Sequence, residues 1–261
     1  MADRVQLDGH SLRVRIDGPD DAPWLVLSHS LGATLEMWEP QIVAFSQRHR
    51  VLRYDTRGHG RSSSPYRPWT IADLGRDVIT LFDALQIERA SFCGLSMGGA
   101  TGMWLATHAQ DRLERLVLCN TTPWLGPPAT MNARMAQVQA QGMAPLVEGI
   151  LQRWFTPEFH SLEPAAVEWV RQMLLASPVE GYAGCCEALR DMDQRDDLPR
   201  ITAPTLVIAG THDPSPTIDA ARQWAATIPQ ARFIELPAAH LSNIGAASAF
   251  NAAILHFLQA A

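Results

Sequence analysis

Gly94-Leu95-Ser96-Met97-Gly98 joins an apolar run, Ser91–Leu95, to a helical stretch, Met97–Ala109, and this junction decides the architecture. A strand that ends on a serine bracketed by glycines and passes at once into a helix makes a turn too tight for side chains on either flank. The hydroxyl then projects above the sheet, as in a nucleophile elbow. Five residues of this pattern are a weak signal by themselves; the strand before and the helix after make it a strong one. The helix also carries Gly98, Gly102 and Ala106 four apart, a small-residue stripe that lets neighbouring elements come close.

Working outward, the first third of the chain alternates strand-like and helix-like segments. Leu12–Ile16 alternates in period two, as an antiparallel strand with one wet face does. Trp24–Leu27 and Val51–Tyr54 are short apolar runs, and 72–87 has helical period through Leu74, Val78, Leu81, Phe82 and Leu85. A buried strand at Leu113–Cys119 completes a β-α-β-α rhythm, which implies a mostly parallel sheet covered on both faces. The rhythm breaks at Thr121, where Pro123, Gly126, Pro127 and Pro128 mark a boundary. Helical stretches near 131–141, 144–154, 163–176 and 182–192 follow, the third marked by Val167, Val170 and Leu174. From Pro204 the alternation resumes: strand Thr205–Ala209, helix Ile218–Thr227, strand Arg232–Leu236, helix Ala247–Leu258. The expected organisation is an α/β core of residues 1–122 and 193–261 with an inserted helical cap at 123–192. Its ligand crevice lies between the cap and the carboxyl ends of the strands.

The 261 residues include 21 basic side chains, all of them arginine, and no lysine. That removes a phosphate loop ending in Gly-Lys-Ser/Thr, Schiff-base chemistry and a Ser-Lys dyad. An anion held by a side-chain cation must meet arginine or charged histidine. A net charge of −6 argues against nucleic acid as a partner. No stretch has the length and apolarity of a leader or a membrane span, so a cytoplasmic protein with no membrane partner is expected. Cys93 and Cys119 fall in apolar strands, and the adjacent Cys185 and Cys186 lack the spacing of a zinc or redox site. All four read as reduced core thiols.

A serine nucleophile needs a base, and the base needs an orienting acid. With this elbow the chain order is serine, acid, histidine. Thr205–Gly210 runs into Thr211-His212-Asp213, which places Asp213 after a late strand. The loop after the preceding strand offers Asn120 and no carboxylate. His240 follows a strand and Pro237 in a loop able to reach the elbow, whereas His256 reads as a helix histidine and His212 as a loop-shaping neighbour of the acid. His108 and His160 carry no signal beyond a helix or loop surface. An oxyanion hole needs backbone donors aimed where charge develops. The N–H of Met97, directly after the nucleophile, is one candidate; Leu31, in Ser28-His29-Ser30-Leu31-Gly32, is the other by position. Asp55-Thr56-Arg57-Gly58-His59-Gly60-Arg61-Ser62 lacks a dinucleotide fingerprint and reads as a glycine turn pinned by Asp–Arg pairing.

These residues together resemble the α/β-hydrolase superfamily over essentially the whole chain. A closer resemblance is to the 3-oxoadipate enol-lactone hydrolases of aromatic-compound degradation. It rests on Ser30-Leu31-Gly32, the Ser96 elbow running on into Gly99, Arg153-Trp154-Phe155-Thr156-Pro157, Gly181 to Asp193, and His240-Leu241-Ser242-Asn243-Ile244. The two cap segments discriminate; the elbow is widely shared. Gly245-Ala246-Ala247 departs from the more polar helix entry usual in that family. The resemblance implies a small anionic enol-lactone substrate opened through a Ser96–His240–Asp213 triad and an acyl-enzyme, with no metal or cofactor. The free carboxylate of that substrate calls for a guanidinium. Trp124, Arg134, Arg153 and Trp154 are the cap residues near the mouth; Arg134 is the expected carboxylate partner, with Trp124 and Trp154 walling the ring. Other activities stay open on this fold: a general carboxylesterase, a cofactor-free perhydrolase, a carbon–carbon bond hydrolase, or a non-catalytic ligand receptor. Serine at position 96, where a haloalkane dehalogenase has aspartate, disfavours that chemistry.

Overall fold

A computed structural model describes residues 3–63, 65 and 68–259. Eight strands form one sheet: β1 (Arg4–Gln6), β2 (Ser11–Asp17), β3 (Trp24–Ser28), β4 (Arg50–Tyr54), β5 (Ala90–Leu95), β6 (Leu113–Cys119), β7 (Thr205–Gly210) and β8 (Arg232–Leu236). Their spatial order is β1-β2-β4-β3-β5-β6-β7-β8. β1 and β2 pair antiparallel, as do β2 and β4, and every pairing from β4 through β8 is parallel.

The helices are α1 (Glu39–Phe45), α2 (Ile71–Ala84), α3 (Met97–His108), α4 (Ala129–Gln141), α5 (Ala144–Trp154), α6 (Pro157–Leu162), α7 (Pro164–Leu175), α8 (Val179–Asp191), α9 (Ile218–Ala225), α10 (Ser242–Gly245) and α11 (Ala247–Gln259). Alternate residues of the central strands feed two cores. Val26, Phe92, Leu116 and Val207 face one side with α2 and α3. Leu25, Leu27, Cys93, Leu95 and Val117 face the other, with Phe45 of α1 and Phe250, Ile254 and Phe257 of α11. Strands wetted on neither face carry continuous apolar sequence, which is why β5 and β7 are buried throughout.

β2 differs from the expected half-wet strand, because Ser11 to Val14 are all buried. Arg13, on the face expected to be wet, is covered because its guanidinium pairs with Asp55 at 3.3 Å and Glu36 at 2.6 Å. The short elements β1, α1, α6 and α10 have no counterpart in the sequence reading. Three to seven residues carry too little periodicity to stand out.

Helices α4 to α8 all lie between β6 and β7. The excursion is closed at its base: Trp124 bridges Asp193, and Gln194 N–H donates to Pro123 O at 3.0 Å. α3, which begins at the elbow, is buried at eleven of its twelve positions, so it is an internal helix with no wet face.

Candidate active site

β5 delivers the nucleophile candidate. Ser96 sits at φ +58°, ψ −113°, a left-handed conformation that costs an L-residue energy and persists where the surroundings impose it. The glycines on either side make the turn possible. A Cβ on Gly94 would overlap the Gly98 carbonyl, and a Cβ on Gly98 would overlap the Ser28 carbonyl at the end of β3. The small-residue stripe thus sets α3 against the sheet. Cys93 and Cys119 lie directly below with their sulfurs 3.9 Å apart, and all four cysteines are free and buried.

Three loops from three strand ends converge at this point. Ser96 Oγ–H is 2.9 Å from His240 Nε2, and His240 Nδ1–H donates to Asp213 Oδ2 at 2.8 Å. The two bonds fix the imidazole tautomer, with its proton on Nδ1 and its lone pair towards the serine. Asp213 is held in turn: Ser215 N–H donates to Oδ1 at 3.0 Å and Asn120 Nδ2 donates to Oδ2 at 2.9 Å. Asn120 also accepts from the Ser242 hydroxyl at 2.5 Å. The polar residue after β6 therefore braces the acid instead of replacing it, a role the sequence reading did not assign. His212 and His256 are exposed and take no part. His108 stacks on Trp104, and His160 bonds Leu151 O.

The loop after β3 carries the Leu31 amide to the same cavity. Leu31, Met97, Ser96 and His240 all line it, and among the described residues neither the Leu31 nor the Met97 N–H has a protein acceptor. The flanks of the loop are tied down by two buried histidines. Thr56 N–H donates to His29 Nε2, and Gly32 N–H donates to His59 Nε2, each at 2.9 Å. Burial holds both imidazoles neutral, lowering His29 to about 4 and His59 to about 3; the neighbouring His29 ring contributes to the second shift. The 55–62 loop is pinned as expected of a structural turn: Asp55 binds Arg13 and the Leu35 and Arg61 amides, and Arg57 forks onto Asp77.

The helices above supply the far wall. Trp154, at the end of α5, is buried against the cavity with its ring stacked on His240. Arg134 from α4 and Arg153 from α5 both line the cavity, and neither has an acidic partner among the described residues. Partial burial and the like charge of Arg134 push the Arg153 guanidinium below its ordinary value. Among the described residues, the hydrogen-bond partner of Arg134 is the Tyr182 hydroxyl, at 3.4 Å; burial raises that phenol to about 12, so it stays protonated. The expected site needs one correction and one addition. Trp124 is not on the cavity wall: it is 38% exposed, and the Arg195 guanidinium lies over its ring at 4.2 Å. Pairing of its backbone with Asp193 at the base of the excursion turns the ring outward. Arg153 joins Arg134 inside. The sequence reading placed it near the mouth beside Trp154 but expected Arg134 as the carboxylate partner; it lies in the last turn of α5. Among the described residues no His/Cys/Asp/Glu cluster suits a metal ion, and no helix is long and apolar enough to cross a membrane.

Comparisons with known proteins agree with this fold. The chain is 44% identical over 237 residues to 3-oxoadipate enol-lactonase 2 of Acinetobacter baylyi, covering 91% of this chain and 89% of the relative. It is 40% identical to 3-oxoadipate enol-lactonase 1 of the same organism, covering 90% and 88%. The crystal structure of the enol-lactonase from Burkholderia xenovorans LB400 superposes with a TM-score of 0.97 at 46% identity, covering 98% of this chain and all of that one. The family model for the alpha/beta hydrolase fold matches residues 23–247, and with a mostly parallel sheet, a strained serine elbow and a histidine–aspartate pair at its carboxyl edge, the chain belongs to the α/β-hydrolase family.

Proposed function

We propose that this protein hydrolyses 3-oxoadipate enol-lactone to 3-oxoadipate, with residues 1–122 and 193–261 as the catalytic core and 123–192 as its cap. The observation that carries the substrate is the pair of guanidinium groups, Arg134 and Arg153, sharing one cavity with Ser96 and lacking any acidic partner among the described residues. Two uncompensated cations facing a nucleophile suit an acyl substrate with a free carboxylate, which a planar guanidinium binds through paired hydrogen bonds. The names of the relatives point the same way.

In the mechanism, His240 Nε2 takes the Ser96 proton as Oγ adds to the lactone carbonyl. Asp213 stabilises the imidazolium that results. The Leu31 and Met97 amides receive the oxyanion. Collapse of the tetrahedral intermediate breaks the ring C–O bond. The departing enolate takes the proton from His240 and tautomerises to the ketone while remaining tethered through the acyl group. Water then adds to the ester, giving a proton to His240, and Ser96 leaves with that proton restored. The balance is one lactone carboxylate and one water to one dicarboxylate and one proton, and no step requires a metal or an organic cofactor.

Loss of the enol-lactone ultraviolet absorbance on adding purified protein tests the reading. Rapid clearance, abolished in Ser96→Ala, is expected. No clearance, alongside brisk turnover of simple phenyl esters, would make the protein a general carboxylesterase instead.

A further inference from the structure

Each amide assigned to the oxyanion shares a rigid peptide unit with the carbonyl of the residue before it. In a trans peptide the N–H and C=O point in opposite directions, so clamping the carbonyl aims the N–H. Ser96 O, across the unit from Met97 N–H, accepts from the Thr121 hydroxyl at 2.7 Å and from Ala100 N–H at 3.0 Å. Ser30 O, across from Leu31 N–H, accepts from His29 Nδ1 at 2.8 Å and from Ala33 N–H at 3.1 Å. Two loops that are remote in sequence show one arrangement. A backbone donor and a buried side-chain donor hold the carbonyl of a peptide whose N–H belongs to a cavity-lining residue and lacks a protein acceptor among the described residues.

We propose that Thr121 and His29 are positioning residues that aim the two oxyanion donors, each through the carbonyl of the peptide unit to which its donor belongs. The inference rests on the acyl-transfer reading above. His29 can donate from Nδ1 because Nε2 is already accepting from Thr56 N–H, so the exit of β4 sets the tautomer. The next two peptide units are fixed as well: Gly32 N–H meets His59, and Ser177 Oγ–H donates to Gly32 O at 2.7 Å. Leu31 is thereby held between anchored neighbours. On the other loop, the Thr121 side chain also packs on Gly99, which fixes its rotamer against the first turn of α3. A carbonyl that accepts two hydrogen bonds polarises its own peptide, strengthening the N–H as a donor. A hydroxyl that merely satisfied a buried carbonyl would leave the reaction untouched, since Ala100 N–H already occupies Ser96 O.

The test is Thr121→Val, which keeps the shape and removes the hydroxyl, assayed on both the enol-lactone and p-nitrophenyl acetate. Removing an oxyanion donor outright costs about 100- to 1000-fold in kcat, so misaiming one is expected to cost about tenfold on both substrates with KM little changed. Affinity for a trifluoromethyl ketone, whose tetrahedral adduct needs the hole, should fall by the same factor. Thr121→Ser should restore kcat to within about threefold of the natural chain. If valine at this position unfolds the chain, Thr121→Ala removes the same hydroxyl and carries the same expectations. Undiminished kcat in the variant, a kcat loss without loss of ketone affinity, or a serine variant as slow as the valine one would each overturn the positioning role. A natural chain inert towards both substrates overturns the hydrolase reading, and this inference with it. Turnover of the ester alone overturns only the lactone assignment, and the ester comparison still decides the role of Thr121.

Discussion

The His240 imidazole lies along the indole of Trp154, with ring centroids 6.2 Å apart and planes 24° from parallel. The backbone repeats the contact. Leu241 N–H donates to Trp154 O at 3.1 Å, and His240 N–H points at Arg153 O, 3.5 Å away. The last turn of a helix normally leaves carbonyls without intrahelical partners; here the end of α5 spends two of them on the histidine loop. The end of α5 therefore braces His240 through its backbone and ring, while Asp213 holds the imidazole at Nδ1.

Trp154→Ala is accordingly expected to do two things. Truncating a buried tryptophan costs about 3–5 kcal/mol of stability, readable as a lowered urea midpoint. The unsupported imidazole should also lower kcat on a neutral ester, where no carboxylate contact is at stake. Trp154→Phe, which keeps an aromatic face, should recover most of both. A variant that loses stability but keeps full kcat would show that the stack is packing alone.

Arg134 and Arg153 make a prediction about charge. Hydrogen bonds to charged groups contribute about 1.5–3 kcal/mol, so Arg134→Ala or Arg153→Ala should raise KM for the carboxylated lactone by about ten- to a hundredfold. KM for p-nitrophenyl acetate should hardly move. Adipate, a dicarboxylate with no scissile bond, should inhibit the natural chain competitively and the variants weakly. Parallel losses on charged and neutral substrates would remove the carboxylate role.

Much of this site was legible in the sequence because its chemistry is tied to short-range geometry. Gly94 is demanded by backbone contact within five residues, at the Gly98 carbonyl, and Asp213 and His240 each follow a strand whose apolar pattern is plain. Asn120 and Thr121 were harder to see because their roles depend on distance in space. Asn120 reaches Asp213 across 93 residues of sequence, and nothing local separates it from an ordinary loop asparagine. Trp124 failed for the converse reason: it lies near the mouth in sequence, but pairing at the base of the cap turns its ring towards Arg195. The half-wet reading of β2 holds at Arg15, which is exposed, but not at Arg13 on the same face, because one buried arginine can satisfy two carboxylates.

The buried histidines that tie down the 28–32 loop make stability depend on pH in a defined sense. His29 and His59 ionise near 6.5 in an unfolded chain, but only near 4 and 3 when folded. Below 6.5 the unfolded state therefore binds protons that the folded state refuses, and stability falls as pH falls. Their contribution is fully present above 6.5 and is lost progressively down to the folded values, at about 1.4 kcal/mol per pH unit for each histidine. His10, raised by its bond to Asp77, has the opposite sign, so a single pH profile mixes the effects. Comparison with His59→Gln separates them. Urea unfolding at pH 6.0, 5.5 and 5.0 should give the natural chain a slope steeper by about 1.4 kcal/mol per unit than the variant, since every other titrating group is common to both. The loss has a structural cause: a protonated His59 can no longer accept the Gly32 N–H, so the loop presenting Leu31 is released as the ring charges. Equal slopes in the two proteins would mean that His59 is not held neutral, and the account of how that loop is anchored would fall with it.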